Sequence, residues 1–322
     1  MEKQPAFVFG PVPSRRLGSS LGINNIPFKN CTYSCVYCQL GKAVKMQVKR
    51  QEFFKPDVII EAVIEKLKSL SAHEYPDYLT IVPDGEPTLD IHLGELINKL
   101  KKFDIPVAII TNASLINRED VQQELMLADY VSLKIDAISP AIWKKVDKPH
   151  KDLNLKTVLE AISLFRKQFK SKFVTETMLL NGLNDMPDEI ETIADFIATL
   201  QPDMAYIAIP TRPTAFNEAI PASEQMLNFA YQAMVSRNLN AELLTGYEGN
   251  AFTTTGDFIE DLLSIIAVHP MREDAVLDLL EKSTASYETL LSLIQQQKIE
   301  KVGYHQNIYY VRKFQRRKGD MH

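Results

Sequence analysis

From residue 56 onward, helix-spaced apolar patterns alternate with short β-rich runs, and this alternation narrows the fold more than any other feature of the chain. In PDVIIEAVIEKLKSL the apolar residues recur at helical spacing, with Pro56 as a helix-entry signal, and DYLTIV follows as a short run ending at Pro83. LGELINKLKKF then precedes PVAIIT, REDVQQELML precedes DYVSLKID, and LKTVLEAISLFRKQF precedes KFVTETMLL. EIETIADFIATL with MAYIAIP, and SEQMLNFAYQAMVSR with NAELL, continue the pattern. Such alternation predicts parallel strands joined by right-handed helical crossovers. Counting an early run near SLGINNI, about six strands are expected, fewer than a closed eight-stranded barrel requires. An open or partial barrel and a doubly wound sheet both satisfy the pattern.

TGYEGNAFTTTGDF breaks the alternation with its glycines and threonines and reads as a linker. The expected organisation is therefore a first domain over residues 1–245, a linker over 246–256 and a small domain over 257–322. The last segment reads as three short helices, DFIEDLLSIIAVHP, REDAVLDLLEKS and SYETLLSLIQQQ. Two strands follow, around a turn at His305, Gln306 and Asn307. That order resembles a winged-helix module.

Ligands gather at the carboxyl ends of parallel strands, and polar residues recur there. After the first strand comes KNCTYSCVYCQLG, which holds all three cysteines of the chain, Cys31, Cys35 and Cys38. PDGEPTL follows the second strand, with Gly85 and Glu86, and TNASL follows the third, with Asn112. The fourth carries Ser132, Lys134 and Asp136, the fifth Glu176 and Met178, and the sixth ends in PTRP with Arg212.

Three thiols are odd for disulfides and one short of a closed tetrahedral zinc site. Thiolates are soft ligands that suit iron–sulfur clusters and zinc. Three of them can hold three irons of a cubane and leave the fourth open. A zinc site completed in space by a histidine, or plain buried cysteines, are the alternatives. The charge distribution favours an anion here. The net charge is −5, yet residues 3–51 contain no Asp or Glu and eight basic residues, Arg15 and Arg16 among them. Apolar runs stay below the roughly 20 residues of a membrane span, the N-terminus lacks a signal-peptide core, and unpaired cysteines suit a reducing compartment. A cytoplasmic protein without a membrane partner is expected.

CTYSCVYC resembles the signature of the radical S-adenosylmethionine (SAM) superfamily, C-x3-C-x-aromatic-C, with Tyr37 at the aromatic position. The resemblance extends over roughly residues 18–215. It implies a partial (β/α)6 TIM-like barrel, a 4Fe–4S cluster on Cys31, Cys35 and Cys38, and SAM on the open iron. It also implies one-electron cleavage of SAM to a 5′-deoxyadenosyl radical that takes hydrogen from substrate. DGEP is similar to the family's GGE-type motif, with Asp84 replacing the first glycine. Gly85 and Glu86 are thereby implied to contact the methionyl amine, and Asn112, Ser132, Lys134 and Asp136 the ribose and carboxylate. More narrowly, the cysteine region, PDGEPTL and PTRP resemble single-cluster iron–sulfur oxidoreductases related to wybutosine-biosynthesis enzymes. This chain has no extra cysteines for a second cluster, so electrons are expected from an external flavodoxin- or ferredoxin-like donor.

Arg15, Arg16 and Arg212 are candidate clamps for an anionic substrate, with RNA or tRNA as the leading class. A protein or peptide docked by the winged helix is the second reading, and an iron–sulfur-dependent DNA-binding regulator the third. The third helix of the tail has no Lys or Arg, and its one charge is Glu288. The basic residues lie further on, at Lys298, Lys301, Arg312 and beyond.

Overall fold

The computed structural model describes residues 7–245, 256–268, 270–304 and 307–312. Its first element is a hairpin, β1 (Val8–Ser14) antiparallel to β2 (Gly18–Ile23). Gly22 is required there, because a Cβ would lie 2.0 Å from the Phe9 ring that crosses it. The cysteine loop follows, with the short parallel pair β3 (Asn30–Cys31) and β4 (Lys45–Met46). The regular alternation then begins with α1 (Pro56–Ser69), β5 (Tyr78–Ile81), α2 (Leu93–Leu100) and β6 (Val107–Thr111). It continues through α3 (Glu119–Leu125), β7 (Tyr130–Lys134), α4 (Pro140–Val146), α5 (Leu155–Gln168) and β8 (Lys172–Met178). α6 (Pro187–Leu200), β9 (Met204–Ala208), α7 (Glu224–Val235) and β10 (Ala241–Leu244) complete it.

One sheet of eight strands results, in the order β1-β2-β5-β6-β7-β8-β9-β10, parallel except for β1. Consecutive parallel strands are neighbours throughout, so every right-handed crossover returns to the same face. A doubly wound sheet would need a reversal of strand order, and there is none. The sheet curls into a half-barrel, as expected, with eight strands in place of about six. One face of each strand packs on the helices. Leu21, Ile81, Ile109, Val131, Leu133, Phe173 and Ile207 share a core with Ile59, Leu96, Val121, Phe165 and Ile193. The alternate residues line the lumen, as a two-residue period requires. At its lower end Leu17, Ala108, Tyr130, Val174 and Tyr206 form an apolar plug.

The C-terminal segment comprises α8 (Phe258–Val268), β11 (Met271–Arg272), α9 (Glu273–Lys282), α10 (Tyr287–Gln295), β12 (Ile299–Tyr304) and β13 (Asn307–Arg312). The three expected helices and the hairpin occur in that order, and β11 joins them in a β11-β13-β12 sheet. The core of this segment includes Phe9 and Val12 of β1. The Tyr309 hydroxyl donates to the Thr211 carbonyl at 2.8 Å, and that of Tyr304 to Pro210 at 3.3 Å. The segment thus contacts both β1 at one edge of the half-barrel and the loop after β9. The linker residues 246–255, His305 and Gln306 of the expected turn, and the basic tail 313–322 lie outside the described residues.

Phe9 is 5% exposed and joins the two parts of the structure. Phe9→Ala is expected to cost about 3–5 kcal/mol of stability by urea unfolding. Amide exchange should accelerate in α8 and stay unchanged in α5 and α6.

Candidate active site

The cysteine loop is held by backbone bonds on two sides. Along one side, residues 32–36 run beside the segment after α4. His150 N–H donates to Thr32 O at 2.8 Å, Ser34 N–H to Asp147 O at 3.1 Å and Val36 N–H to Val146 O at 2.9 Å. On the other side the loop meets the turn after β5. Lys29 N–H donates to Asp84 O at 2.9 Å, and Glu86 N–H to Asn30 O at 3.1 Å. Gly85 sits between these two bonds, and a Cβ there would lie 1.9 Å from the Asn30 carbonyl oxygen. The glycine therefore permits a backbone-to-backbone approach that no other residue allows. Lys29 supports it by taking a left-handed conformation, φ 56°.

Glu86, 1% exposed, braces the strand ends against each other. Its Oε1 accepts from Thr88 N–H at 3.1 Å, Thr88 Oγ1 at 2.6 Å and Thr111 Oγ1 at 2.5 Å, and its Oε2 accepts from Asn112 N–H at 2.9 Å. Three of these donors crowd on Oε1 and one on Oε2, so Oε2 keeps capacity for a further donor. Burial pushes the Glu86 carboxyl up, and these donors oppose that. Asn112 Nδ2 donates to Thr32 Oγ1 at 2.8 Å and lies 3.7 Å from Cys31 Sγ.

Each sulfur has a different polar neighbour: the Asn112 amide at Cys31, the Lys29 ammonium at Cys38 (3.0 Å), and Asp147 Oδ1 at Cys35 (3.4 Å). Burial, then Glu86, pushes the Cys31 thiol up to about 12. Burial, then Asp147, raises Cys35 well above the ordinary thiol value. These are thiols that a metal must deprotonate. Among the described residues no three His, Cys, Asp or Glu converge on one ion. The three sulfurs, each with its own polar neighbour, fit a cluster in which each thiolate binds its own iron, and the buried ammonium at Cys38 fits an anionic group. Cys31, Cys35 and Cys38 would hold that cluster.

Below the sulfurs an ionic ladder runs down the lumen. The Tyr37 hydroxyl donates to Asp136 Oδ2, and the Lys134 ammonium lies 4.9 Å above the centre of the Tyr37 ring. Lys134 Nζ is 3.2 Å from both Asp136 Oδ1 and Glu176 Oε1, and Glu176 Oε2 pairs with Arg16. Ser132 Oγ is buried on the same strand without a hydrogen-bond partner. Asp136, Asp147, Tyr33, Trp143, Asn112 and Lys134 also line a cavity of about 20 Å³ behind the cysteine loop.

The structure therefore gathers Tyr37, Gly85, Glu86, Asn112, Ser132, Lys134 and Asp136 around or beneath the cysteines. Arg212 joins them, its Nη1 3.5 Å from Gln39 Oε1. Arg16 reaches the lumen but is paired to Glu176, so it is not a free clamp. Arg15 is not brought to the site. It is exposed on the β1–β2 turn, directly after β1, and donates to Leu243 O at 3.3 Å. Two residues escaped the strand-end pattern: Asp147 lies after a helix, and Lys29 precedes the motif as one lysine among several. Glu176 was in that pattern, but its partners Lys134 and Arg16 were not legible there. Asp84 is also explained. Its carboxylate accepts from Asn24 Nδ2 at 3.1 Å and faces Arg312 of β13.

A half-barrel with three thiols at its C-terminal mouth, braced against a DGEP turn, defines a radical SAM protein. The chain belongs to the radical SAM superfamily, whose description matches residues 25–197. It is 40% identical over 314 residues to UPF0026 protein MJ1312 of Methanocaldococcus jannaschii, covering 97% of each chain. To a UPF0026 protein of Helicobacter pylori strain J99 it is 34% identical over 302 residues, 92% of this chain and 95% of that one. Among solved structures, TYW1 with a lysine–pyruvate adduct bound has the same fold, at a TM-score of 0.53 and 17% identity, over 68% of this chain and 74% of that one. The protein is thus an enzyme of a superfamily that uses a 4Fe–4S cluster and SAM. No helix among the described residues is long and apolar enough to cross a membrane.

Burial pushes the Asp84 carboxyl up to about 7, although Arg312, Asn24 and Lys29 oppose it. The unfolded value is near 4, so the fold favours the protonated form. The resulting stability is complete below pH ~4 and is lost as pH rises through ~7. In urea unfolding between pH 5 and 8, Asp84→Asn should lack this loss. Equal slopes in both proteins would contradict the assignment.

Proposed function

We propose that this enzyme abstracts hydrogen from an anionic substrate, of which RNA or another nucleotide-like molecule is the leading class. When bound, the cluster would supply the electron that cleaves SAM to a 5′-deoxyadenosyl radical. Glu86 Oε2 has an acceptor position for the methionyl amine, and Gly85 keeps that carboxylate beside Cys31. Asn112, Ser132, Lys134 and Asp136 offer donors and acceptors to the rest of the cofactor, and Ser132 has a buried hydroxyl to satisfy. The apolar plug beneath the ladder favours a site closed to water from below.

The observation that carries the substrate reading is the basic rim. Lys42 of the cysteine loop and Lys148 of the segment after α4 both lie over the Phe216 ring, 4.4 and 4.7 Å from its centre. Lys45 and Lys151 are exposed on the same two segments. Folding thus adds a second basic segment to the one in the cysteine loop, as a polyanion would require. A peptide substrate is the second reading, supported by Tyr287 and Leu291, 45% and 42% exposed on α10 beside Glu288. A surface of that kind suits a protein better than a phosphate backbone. An external flavodoxin- or ferredoxin-like donor would supply the electron in either case.

Reconstituted, reduced protein given SAM should release 5′-deoxyadenosine, and Cys35→Ser should release none. Bulk tRNA should raise the yield, and its binding should weaken with salt at a log–log slope of about −3 to −4 if the rim lysines contact phosphates. Salt-independent RNA binding with stimulation by peptides would favour the second reading. A reconstituted wild type that releases no 5′-deoxyadenosine would favour the regulator.

A further inference from the structure

The eight basic residues of the acid-free stretch turn out to have different environments. Arg50 is buried among the carboxylates of Asp120 and Glu124 and the carbonyls of Thr88 and Asp90. Arg16 pairs with Glu176, and Arg15 bonds the Leu243 carbonyl. Lys42, Lys45 and Lys49 are exposed, and Lys3 lies outside the described residues. Lys29 differs from all of these. It is 2% exposed, and its ammonium donates to Cys38 Sγ at 3.0 Å.

A buried ammonium is stable only beside compensating negative charge. The neighbour here is the Cys38 sulfur, which binds iron as a thiolate. The backbone leaves Lys29 little freedom to move away. Its N–H is bonded to Asp84 O, and its carbonyl accepts from Val44 N–H at 3.1 Å and Lys45 N–H at 3.2 Å. The carboxyls of Glu86 and Asp147 lie near the other two cysteines, so Lys29 is the cation set directly against a sulfur.

We infer that Lys29 is a positioning residue for electron entry: its fixed charge and its N–H···S bond to Cys38 stabilise the reduced cluster and raise its reduction potential. One-electron reduction adds one negative charge to the cluster, and a cation held at a ligating sulfur favours that product over the oxidised state. The inference rests on the cluster and is independent of the substrate reading. Lys29 need not touch SAM or substrate.

The test is an EPR-monitored potentiometric titration of the full-length chain after anaerobic reconstitution, with iron content and visible absorption checked first. Lys29→Met should shift the midpoint to more negative potential, by about tenfold in the reduction equilibrium, or ~59 mV for a one-electron couple. Lys29→Arg should stay close to wild type, as should Lys68→Met, a change at an exposed site on α1. If Lys29→Met cannot retain the cluster but Lys29→Arg can, compensation by the buried charge is supported. A full cluster in Lys29→Met with a reduction equilibrium within twofold of wild type would overturn the inference. So would loss of the cluster in both Lys29 variants, which would indicate packing alone. A chain that binds no cluster even as wild type would refute the cofactor assignment, a different result from either.

Discussion

Two backbone hydrogen bonds, Lys29 N–H to Asp84 O and Glu86 N–H to Asn30 O, set the position of everything else in the site. They join the loop that carries the sulfurs to the turn that carries Glu86, across a gap too narrow for any side chain at residue 85. Backbone bonds suit this task because they fix distance without adding charge near the sulfurs. The brace continues from Glu86 through Thr111 and Asn112 to the end of β6, and from Asn112 to Thr32. The open iron implied by three thiolates would therefore face a set of groups whose own positions are already determined.

Beneath that mouth, the lumen keeps its charges in matched pairs. Lys134 lies between Asp136 and Glu176, and Glu176 in turn holds Arg16. Buried charges are tolerated when paired and bonded, and their main use is in specifying geometry rather than in adding stability. The ladder separates the cofactor end of the barrel from the aromatic plug. Exposed positive charge lies outside the ladder, on Lys42, Lys45 and Lys151 at the rim. A substrate selected by charge would thus be drawn to the rim, apart from the paired charges of the lumen.

Much of this could be read from the chain beforehand. Helix and strand periods are local, so the alternation from Pro56 onward showed the parallel αβ layout, and the C-x3-C-x2-C array pointed to the superfamily. The polar residues at the ends of β6 and β7 were visible for the same reason: strand ends can be located by pattern. Other features depend on contacts between distant segments and leave no local trace. Asp147 is one, because it reaches Cys35 only when α4 delivers residues 146–150 alongside the cysteine loop. The pairing of Arg16 with Glu176 is another, since a basic residue beside a turn carries no sign of where its side chain will end. Asp84 looked like a departure from a glycine motif. In the fold its carboxylate turns toward Asn24 and Arg312, and its backbone carbonyl serves the cysteine loop.

The contact at Gly85 is proposed to couple the sulfurs to the turn that carries Glu86. It is tested most directly by the EPR spectrum of the reduced cluster with and without SAM in wild type and Gly85→Ala. The added Cβ overlaps the Asn30 carbonyl oxygen, and relieving that overlap should part the two loops at a cost of about 1–3 kcal/mol. The account predicts that SAM perturbs the wild-type spectrum, while Gly85→Ala keeps its cluster and shows the perturbation only at about tenfold or more higher SAM. An unaltered SAM dependence in Gly85→Ala would contradict it.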